Sequence, residues 1–549
     1  MGRVSGPAGS GSAGSGSAGS GSAGTARPGT GAGRRSAGPA SVRRRVQGTI
    51  STVRDSGYVR KWLVLGTVIG VVAGLGAVVF YDGLQLATRL LLTDIGGYTP
   101  AGTVGDGGAV VASGFSRPWA VPLVVAGGGL VAGLLVFTWA PEAEGHGTDA
   151  AIRAVHTDPF GVRARVIVVK LLASMITIGA GGSGGREGPT AQISSGFGSI
   201  LSRKLDLSPA DARLAVSSGI ASGIGAIFGT PFGSALLGAE LLYRDDFESE
   251  ALFPSLVASI VGYVVFVAIT GKVDPIFGTR PGYRIGPLWQ LSLFILLGLL
   301  CGLIGRLYVL TFYRATDLFS AWRIPRAVKP AVAGLVVGAM GLALPGVLGT
   351  GYGQVQRDLN AHVLAGMPLW VVLLVPLGKL VATSLSIGSG GSGGIFGPGM
   401  VIGGSTGAAL WRVLHLLGLG GHNETAFIIV GMMVCFGSVA HAPLAVMLMV
   451  AEMTDSLTIL APAMIAMAFA VLVVGDATMY RSQLGRRSER TVLADRAAAI
   501  GTDEVSPPDE GPADPDTADP DTAGPDTAGP DTAGPDTAGP DTAGADLRR

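Results

Sequence analysis

One carboxylate stands inside a glycine-rich turn, in Gly185-Arg186-Glu187-Gly188-Pro189. A glycine turn followed by a proline just inside a helix reads as a helix N-terminus. Such an end carries unpaired N–H donors and about half a positive charge, so it attracts an anion without needing a full cation. A carboxylate in that turn can mimic the anion. Ionised, it occupies the place of a bound anion; protonated, it loses the attraction and swings away. The competing reading is that Glu187 only pairs with a basic neighbour such as Arg186. A second turn of the same kind, Gly394-Ile395-Phe396-Gly397-Pro398, has Phe396 where the first has Glu187. Two such ends converging would hold an anion firmly enough to admit it and loosely enough to release it.

The two turns belong to a longer repeat. Residues 181–189 read GGSGGREGP and residues 390–398 read GGSGGIFGP, identical at seven of nine positions and offset by 209 residues (181 to 390). A second pair argues against chance in a glycine-rich chain. Residues 228–240, FGTPFGSALLGAE, and 440–452, AHAPLAVMLMVAE, each place a proline nine residues before a glutamate: Pro231 and Glu240, Pro443 and Glu452. The chain therefore reads as two homologous halves, 57–275 and 276–486. Repeated halves with interrupted helices place a transport site at their interface, near the bilayer midplane.

The elements that must position these turns are membrane elements. Of the 549 residues 14% are charged, against about 25% in a soluble domain, and the mean hydropathy is +0.49. Apolar runs long enough to span begin near Trp62, Val121, Leu252, Leu291, Val332, Trp370 and Ile459. Other runs are short and cut by Gly and Pro, at 163–180, 190–202, 213–229, 231–243, 393–412 and 424–437. Interrupted helices leave backbone groups unpaired, which hydrocarbon does not tolerate but a protein-lined cavity does. The expected fold is an all-α polytopic membrane protein, its two repeated halves inverted in topology, with broken, re-entrant helices meeting at a midplane anion site.

Residues 1–56 form a basic arm and 487–549 an acidic tail that repeats Pro-Asp-Thr-Ala-Gly; both read as disordered. The basic cluster ahead of the first span places that end in the cytoplasm of a cell-membrane protein, and both termini are expected there. The polar, glycine-rich start does not read as a cleavable signal. That basic cluster is short and no folded segment accompanies it, so it does not read as a nucleic-acid surface. Cys301 and Cys435 lie in apolar runs and read as small buried hydrophobes. Nothing in the sequence calls for a metal or a cofactor.

With these motifs in place, the sequence resembles the CLC family of chloride channels and chloride/proton exchangers, in its type without C-terminal regulatory domains. The likeness covers the whole membrane region. Gly185–Pro189 matches the gating-glutamate motif, and Gly394–Pro398 resembles the second selectivity motif, whose Ile395 and Phe396 amides would face the anion. Tyr480, in Asp476-Ala477-Thr478-Met479-Tyr480, resembles the tyrosine whose hydroxyl closes the inner side of the site. The resemblance makes Glu187 the gate. It sets His146, Gly147, Arg186, Gly188, Ile395, Phe396, Gly397 and Tyr480 around chloride or a similar small anion, with protons as a further partner. It also implies a homodimer with one pathway per subunit.

Two positions depart from the family pattern. The first motif, Gly145-His146-Gly147-Thr148-Asp149, carries His146 where the family has a serine that donates to the anion. The imidazole either donates in its place or turns away and leaves the glycine amides to serve. In the family's exchangers a glutamate relays protons on the inner side; the matching residue in Ala239-Glu240-Leu241-Leu242-Tyr243 is Leu241. Glu240 reads as structural, because Glu452 holds the same place in the repeat. The pattern leans toward a passive channel, with a chloride/proton antiporter as the alternative. A potassium channel is a remote rival, since Thr350-Gly351-Tyr352-Gly353 resembles a carbonyl-lined filter in a single, incomplete copy; the plainer reading is a loop between helices. An intramembrane serine protease built on Ser183 is another, but the duplicated Ser392 and the want of a nearby histidine other than His441 speak against an enzyme.

Overall fold

A computed structural model of the chain describes residues 56–107, 112–278, 288–419 and 424–490. The basic arm through residue 55 and the tail from residue 491 lie outside the described residues.

The described chain is helical. Its first part holds α1 (Tyr58–Thr88, continuing into a π-helical turn, Arg89–Ile95), α2 (Ala120–Trp139), α3 (Thr148–His156), α4 (Ala164–Gly179), α5 (Glu187–Leu205), α6 (Pro209–Phe228), α7 (Pro231–Glu240) and α8 (Ser249–Thr270). Then follow α9 (Leu291–Ala321), α10 (Lys329–Ala343), α11 (Tyr352–Asp358), α12 (Ala361–Gly366), α13 (Leu369–Gly388), α14 (Phe396–Leu416), α15 (Glu424–Val439), α16 (Pro443–Thr454) and α17 (Leu460–Val474).

Length sorts these helices by solvent. Among the described residues seven spans are long and apolar enough to cross a bilayer: Tyr58–Ile95, Ala120–Trp139, Ser249–Thr270, Leu291–Ala321, Arg326–Ala343, Leu369–Gly388 and Leu457–Val474. They are the seven long runs expected from the sequence, and their outer faces show large apolar side chains such as Leu472, Val264 and Leu303. Such faces suit hydrocarbon. The interrupted helices sit inside this ring. Most residues of α5, α6 and α14, and nearly all of α15, are buried. Their freed backbone groups therefore meet protein and not lipid. Small residues permit that depth. Gly403 of α14 and Gly431 of α15 each lie against the other's backbone, where a Cβ on either would strike a carbonyl oxygen.

The two copies of the glycine turn meet at the centre. Gly185 and Gly394 exchange both backbone hydrogen bonds at 2.7 Å, as an antiparallel bridge. Side chains repeat the relation. Ser183 Oγ bonds Thr383 Oγ1 and Ser392 Oγ bonds Ser174 Oγ, both at 2.8 Å. These pairs are equivalent at the 209-residue offset. Both serines are thereby engaged in symmetric cross-links, with no histidine among their partners.

The proline–glutamate pair is resolved in the same way. Glu452 of α16 accepts from the Phe232 and Gly233 N–H groups at the start of α7 (3.1 and 2.7 Å), and Glu240 of α7 accepts from Leu444 and Ala445 at the start of α16 (3.2 and 2.6 Å). Each short helix opens on a proline, with no capping bond from its own N-cap side chain. The carboxylate of the other helix satisfies the orphan amides and complements the helix dipole.

Candidate anion site at the helix ends

The Glu187 carboxylate is fully buried. Its Oε1 accepts from the Gly397 N–H at 2.7 Å, and the amides of Glu187 itself and Phe396 also lie against it. Glu187 is the first residue of α5, yet its side chain reaches across to the first turn of α14. Among the described residues no basic side chain is ion-paired with it. Arg186 pairs elsewhere: its guanidinium donates to Asp106 Oδ1 at 3.2 Å and lies 5.3–5.6 Å from the ring centres of Tyr81, Phe228 and Tyr352. The Arg186–Glu187 pairing weighed from the sequence is thus replaced by an Arg186–Asp106 pair. The Arg186 charge is turned from the carboxylate toward residues 103–106.

Peptide geometry explains why amides face this point. A trans peptide sends its carbonyl and the next N–H in opposite directions. The bridge pins the carbonyls of Gly185 and Gly394, which turns the N–H groups of Arg186 and Ile395 the other way. Tyr308 Oη donates to the Ile395 carbonyl at 3.2 Å, which aims the Phe396 N–H. Gly188 and Gly397 add close approach: a Cβ on Gly188 would strike the His146 carbonyl oxygen, and one on Gly397 the Tyr352 hydroxyl.

The first motif lies on the other flank. Gly147, with φ +84°, is the N-cap of α3. Among the described residues the His146 and Gly147 N–H groups meet no acceptor. The His146 ring does not turn out to solvent. It is 9% exposed, and its centre lies 5.6 Å from that of Tyr480 and 5.9 Å from that of Phe312. His146 Nδ1 is buried without a hydrogen bond among the described residues, and the buried Tyr480 hydroxyl lies against the Thr148 side chain. Tyr480 itself is fully buried. The segment after it is tied down: Ser482 donates twice to Asp149 at 2.7 Å, and Gln483 donates to the carbonyls of Leu241 and Ala440 at 2.9 and 2.8 Å.

Two residues escaped the sequence reading. Lys170 and Lys379 are fully buried within α4 and α13. Lys170 Nζ donates to the carbonyls of Ala143 and Gly145 at 3.1 and 2.6 Å; Lys379 Nζ donates to those of Val347 and Gly349 at 3.1 and 2.7 Å. A signal was available, because these lysines interrupt apolar runs at the same 209-residue offset (170 to 379). They bring two further cations to the loops around the turns, from outside the repeated motifs themselves. By the same peptide argument, Lys170 turns the His146 N–H away from itself.

The loop that resembled a potassium filter is the counterpart of the first motif. Gly349 and Gly351 have positive φ (+56° and +81°), as Gly145 and Gly147 do (+76° and +84°). Each loop docks on the other half: Gly393 N–H donates to Gly145 O at 3.4 Å and Gly184 N–H to Gly349 O at 3.2 Å. The Val347 and Gly349 carbonyls are engaged by lysine and glycine donors, so they do not line a cation filter.

Comparison with known proteins agrees. The family described as "Voltage gated chloride channel" matches residues 128–475. A "Putative chloride channel protein ClcB-like" of Ralstonia nicotianae is 30% identical over 400 residues, covering 69% of this chain and 89% of that one. An "Uncharacterized protein MJ0305" of Methanocaldococcus jannaschii is 32% identical over 314 residues, 57% of this chain and 75% of that one. Among solved structures, "a slow cyanobacterial Cl-/H+ antiporter" shares the fold, with a TM-score of 0.63 at 24% identity, over 80% of this chain and 99% of that one. A multi-pass helical protein with paired glycine turns and this match along most of its membrane region belongs to the CLC family of voltage-gated chloride channels and transporters, which move anions and are not enzymes.

Proposed function

We propose that the chain carries chloride, or a similar small anion, passively through a pathway gated by Glu187, in a homodimer with one pathway per subunit and both termini in the cytoplasm. The observation that carries the reading is the Glu187 carboxylate on the first amides of α14, bonded at 2.7 Å to the Gly397 N–H and free of an ion pair among the described residues. An ionised carboxylate there competes with an anion for the same donors. Protonation removes its charge, weakens that hold and frees the amides of Phe396 and Gly397, next to that of Ile395. Tyr480, His146, Gly147 and the amides of Arg186 and Gly188 complete the surround. Glu187→Gln fixes the uncharged state, so chloride flux from reconstituted vesicles should lose its pH dependence and stay high at neutral pH. Flux with a wild-type pH profile in that variant would sink the proposal.

Passive flow is supported by Leu241, which is buried and apolar at the position of the inner relay, while Glu240 beside it is committed to capping α16. Chloride/proton exchange is the second reading. His146 favours it, as a titratable ring against Tyr480, and one relative by fold is described as a Cl-/H+ antiporter. The discriminating experiment is a chloride gradient imposed on proton-tight vesicles. Passive flow predicts no uphill proton movement; proton pumping at a fixed ratio to chloride would establish exchange.

A further inference from the structure

Tyr352 opens α11 and is 3% exposed. Its hydroxyl lies 3.5 Å from Glu187 Oε2, at the long end of hydrogen-bond range. A Cβ built on Gly397 would strike that hydroxyl and would lie 3.0 Å from Oε2. The hydroxyl, the Gly397 backbone and the carboxylate are therefore in mutual contact, with the Gly397 N–H on Oε1 and the Tyr352 O–H on Oε2. The ring cannot easily leave. It packs against Phe277 and Phe228 (centres 5.8 and 6.3 Å away), and the Arg186 guanidinium, itself held by Asp106, lies 5.3 Å from its centre.

Tyr352 is also a wall. A cavity of about 340 Å³ lies beside it, lined by Tyr352, Arg186, Asp106, Thr350 and Arg357 among others, and Glu187 is not among its lining residues. Tyr352 thus touches the carboxylate with its hydroxyl while it lines that cavity.

We propose that Tyr352 is the latch of the Glu187 gate: a positioning residue whose hydroxyl donates to the ionised carboxylate and keeps it on the α14 amides. This rests on reading Glu187 as the gate. Donation to a carboxylate favours its charged form, and protonation of Glu187 removes most of that preference. The latch therefore holds at high pH and releases as the gate is protonated. Other titratable groups bear on the same carboxylate: Arg186 from its own turn, with Asp106 behind it, Tyr308 from α9, Lys379 from α13, and Tyr480. None of these meets Glu187 Oε2 within hydrogen-bond range as Tyr352 does.

The test is chloride efflux from proteoliposomes over a pH series, for the wild type, Tyr352→Phe, Glu187→Gln and the double variant. Tyr352→Phe keeps the ring and removes only the hydroxyl. Its proton-activation midpoint should move up by about 0.5–1 pH unit, raising flux on the alkaline side by roughly three- to ten-fold. In the Glu187→Gln background the same change should add nothing. An unmoved midpoint in Tyr352→Phe, or an equal effect of that substitution with and without Glu187, overturns the latch. Failure of the underlying gate is read separately, from Glu187→Gln alone, as a pH profile that does not flatten.

Discussion

At the scale of single residues, the site is a matter of which peptide groups are pinned. Lys170 holds the carbonyls of Ala143 and Gly145, and Lys379 those of Val347 and Gly349. A buried carbonyl left without a donor costs about 1–3 kcal/mol. Lys170→Met should therefore lower the thermal stability of the detergent-solubilised protein and also reduce chloride flux, because the Gly145–Gly147 loop loses its orientation. Normal stability with normal flux would show that the ammonium aims nothing. His146 makes a separate claim. Its ring stands beside Tyr480, where the family has a small hydroxyl. His146→Ser should change the order of permeation among chloride, nitrate and fluoride, measured as flux ratios or reversal potentials. Identical ratios would mean that the ring takes no part in choosing the anion.

At the scale of elements, the short helices α7 and α16 cap each other. Two charge-assisted hydrogen bonds meet each N-terminus, each worth about 1.5–3 kcal/mol. Glu452→Ala and Glu240→Ala should each cost about 2–4 kcal/mol, read as a lowered unfolding midpoint in detergent. Glu240→Gln keeps one acceptor and should cost less. The element-level reading makes Glu240 a cap and not a proton carrier. A change in proton movement in Glu240→Gln vesicles, at unchanged stability, would reverse that assignment. The pairing also couples the halves, because α7 and α16 cannot shift apart without baring two sets of amides.

At the scale of the whole molecule, long helices with exposed apolar faces surround broken ones, of which α5 and α14 bring their N-termini together at Glu187. Backbone amides face the centre, Lys170 and Lys379 add positive charge from the loops whose carbonyls they hold, and Arg186 is paired with Asp106. A centre built this way selects anions. Reconstituted vesicles should pass chloride and not potassium; a potassium flux of similar size would contradict it. The homodimer proposed here predicts twice the monomer mass after gentle crosslinking in membranes. One pathway per subunit predicts that disabling one copy in a linked dimer halves the flux.

Much of this was legible in the sequence, for identifiable reasons. Hydrocarbon thickness sets the length of an apolar run, so the seven long spans could be read from composition alone. Glycine and proline mark helix starts whatever surrounds them, so Glu187 and Phe396 could be placed in equivalent turns. The 209-residue repeat implied that those turns meet. Which donor each polar group finds depends on contacts between residues far apart in the chain, and that was not legible. Arg186 stands next to Glu187 in sequence but pairs with Asp106. Glu240 and Glu452 cap each other's helices, and the two lysines serve loops about thirty residues away. Tyr352 looked like part of a filter until folding set its hydroxyl against Glu187. The sequence by itself determined that helix ends and one carboxylate are available at the centre. Only the tertiary structure decided which amides face the carboxylate, because a peptide's direction is fixed by what holds its carbonyl.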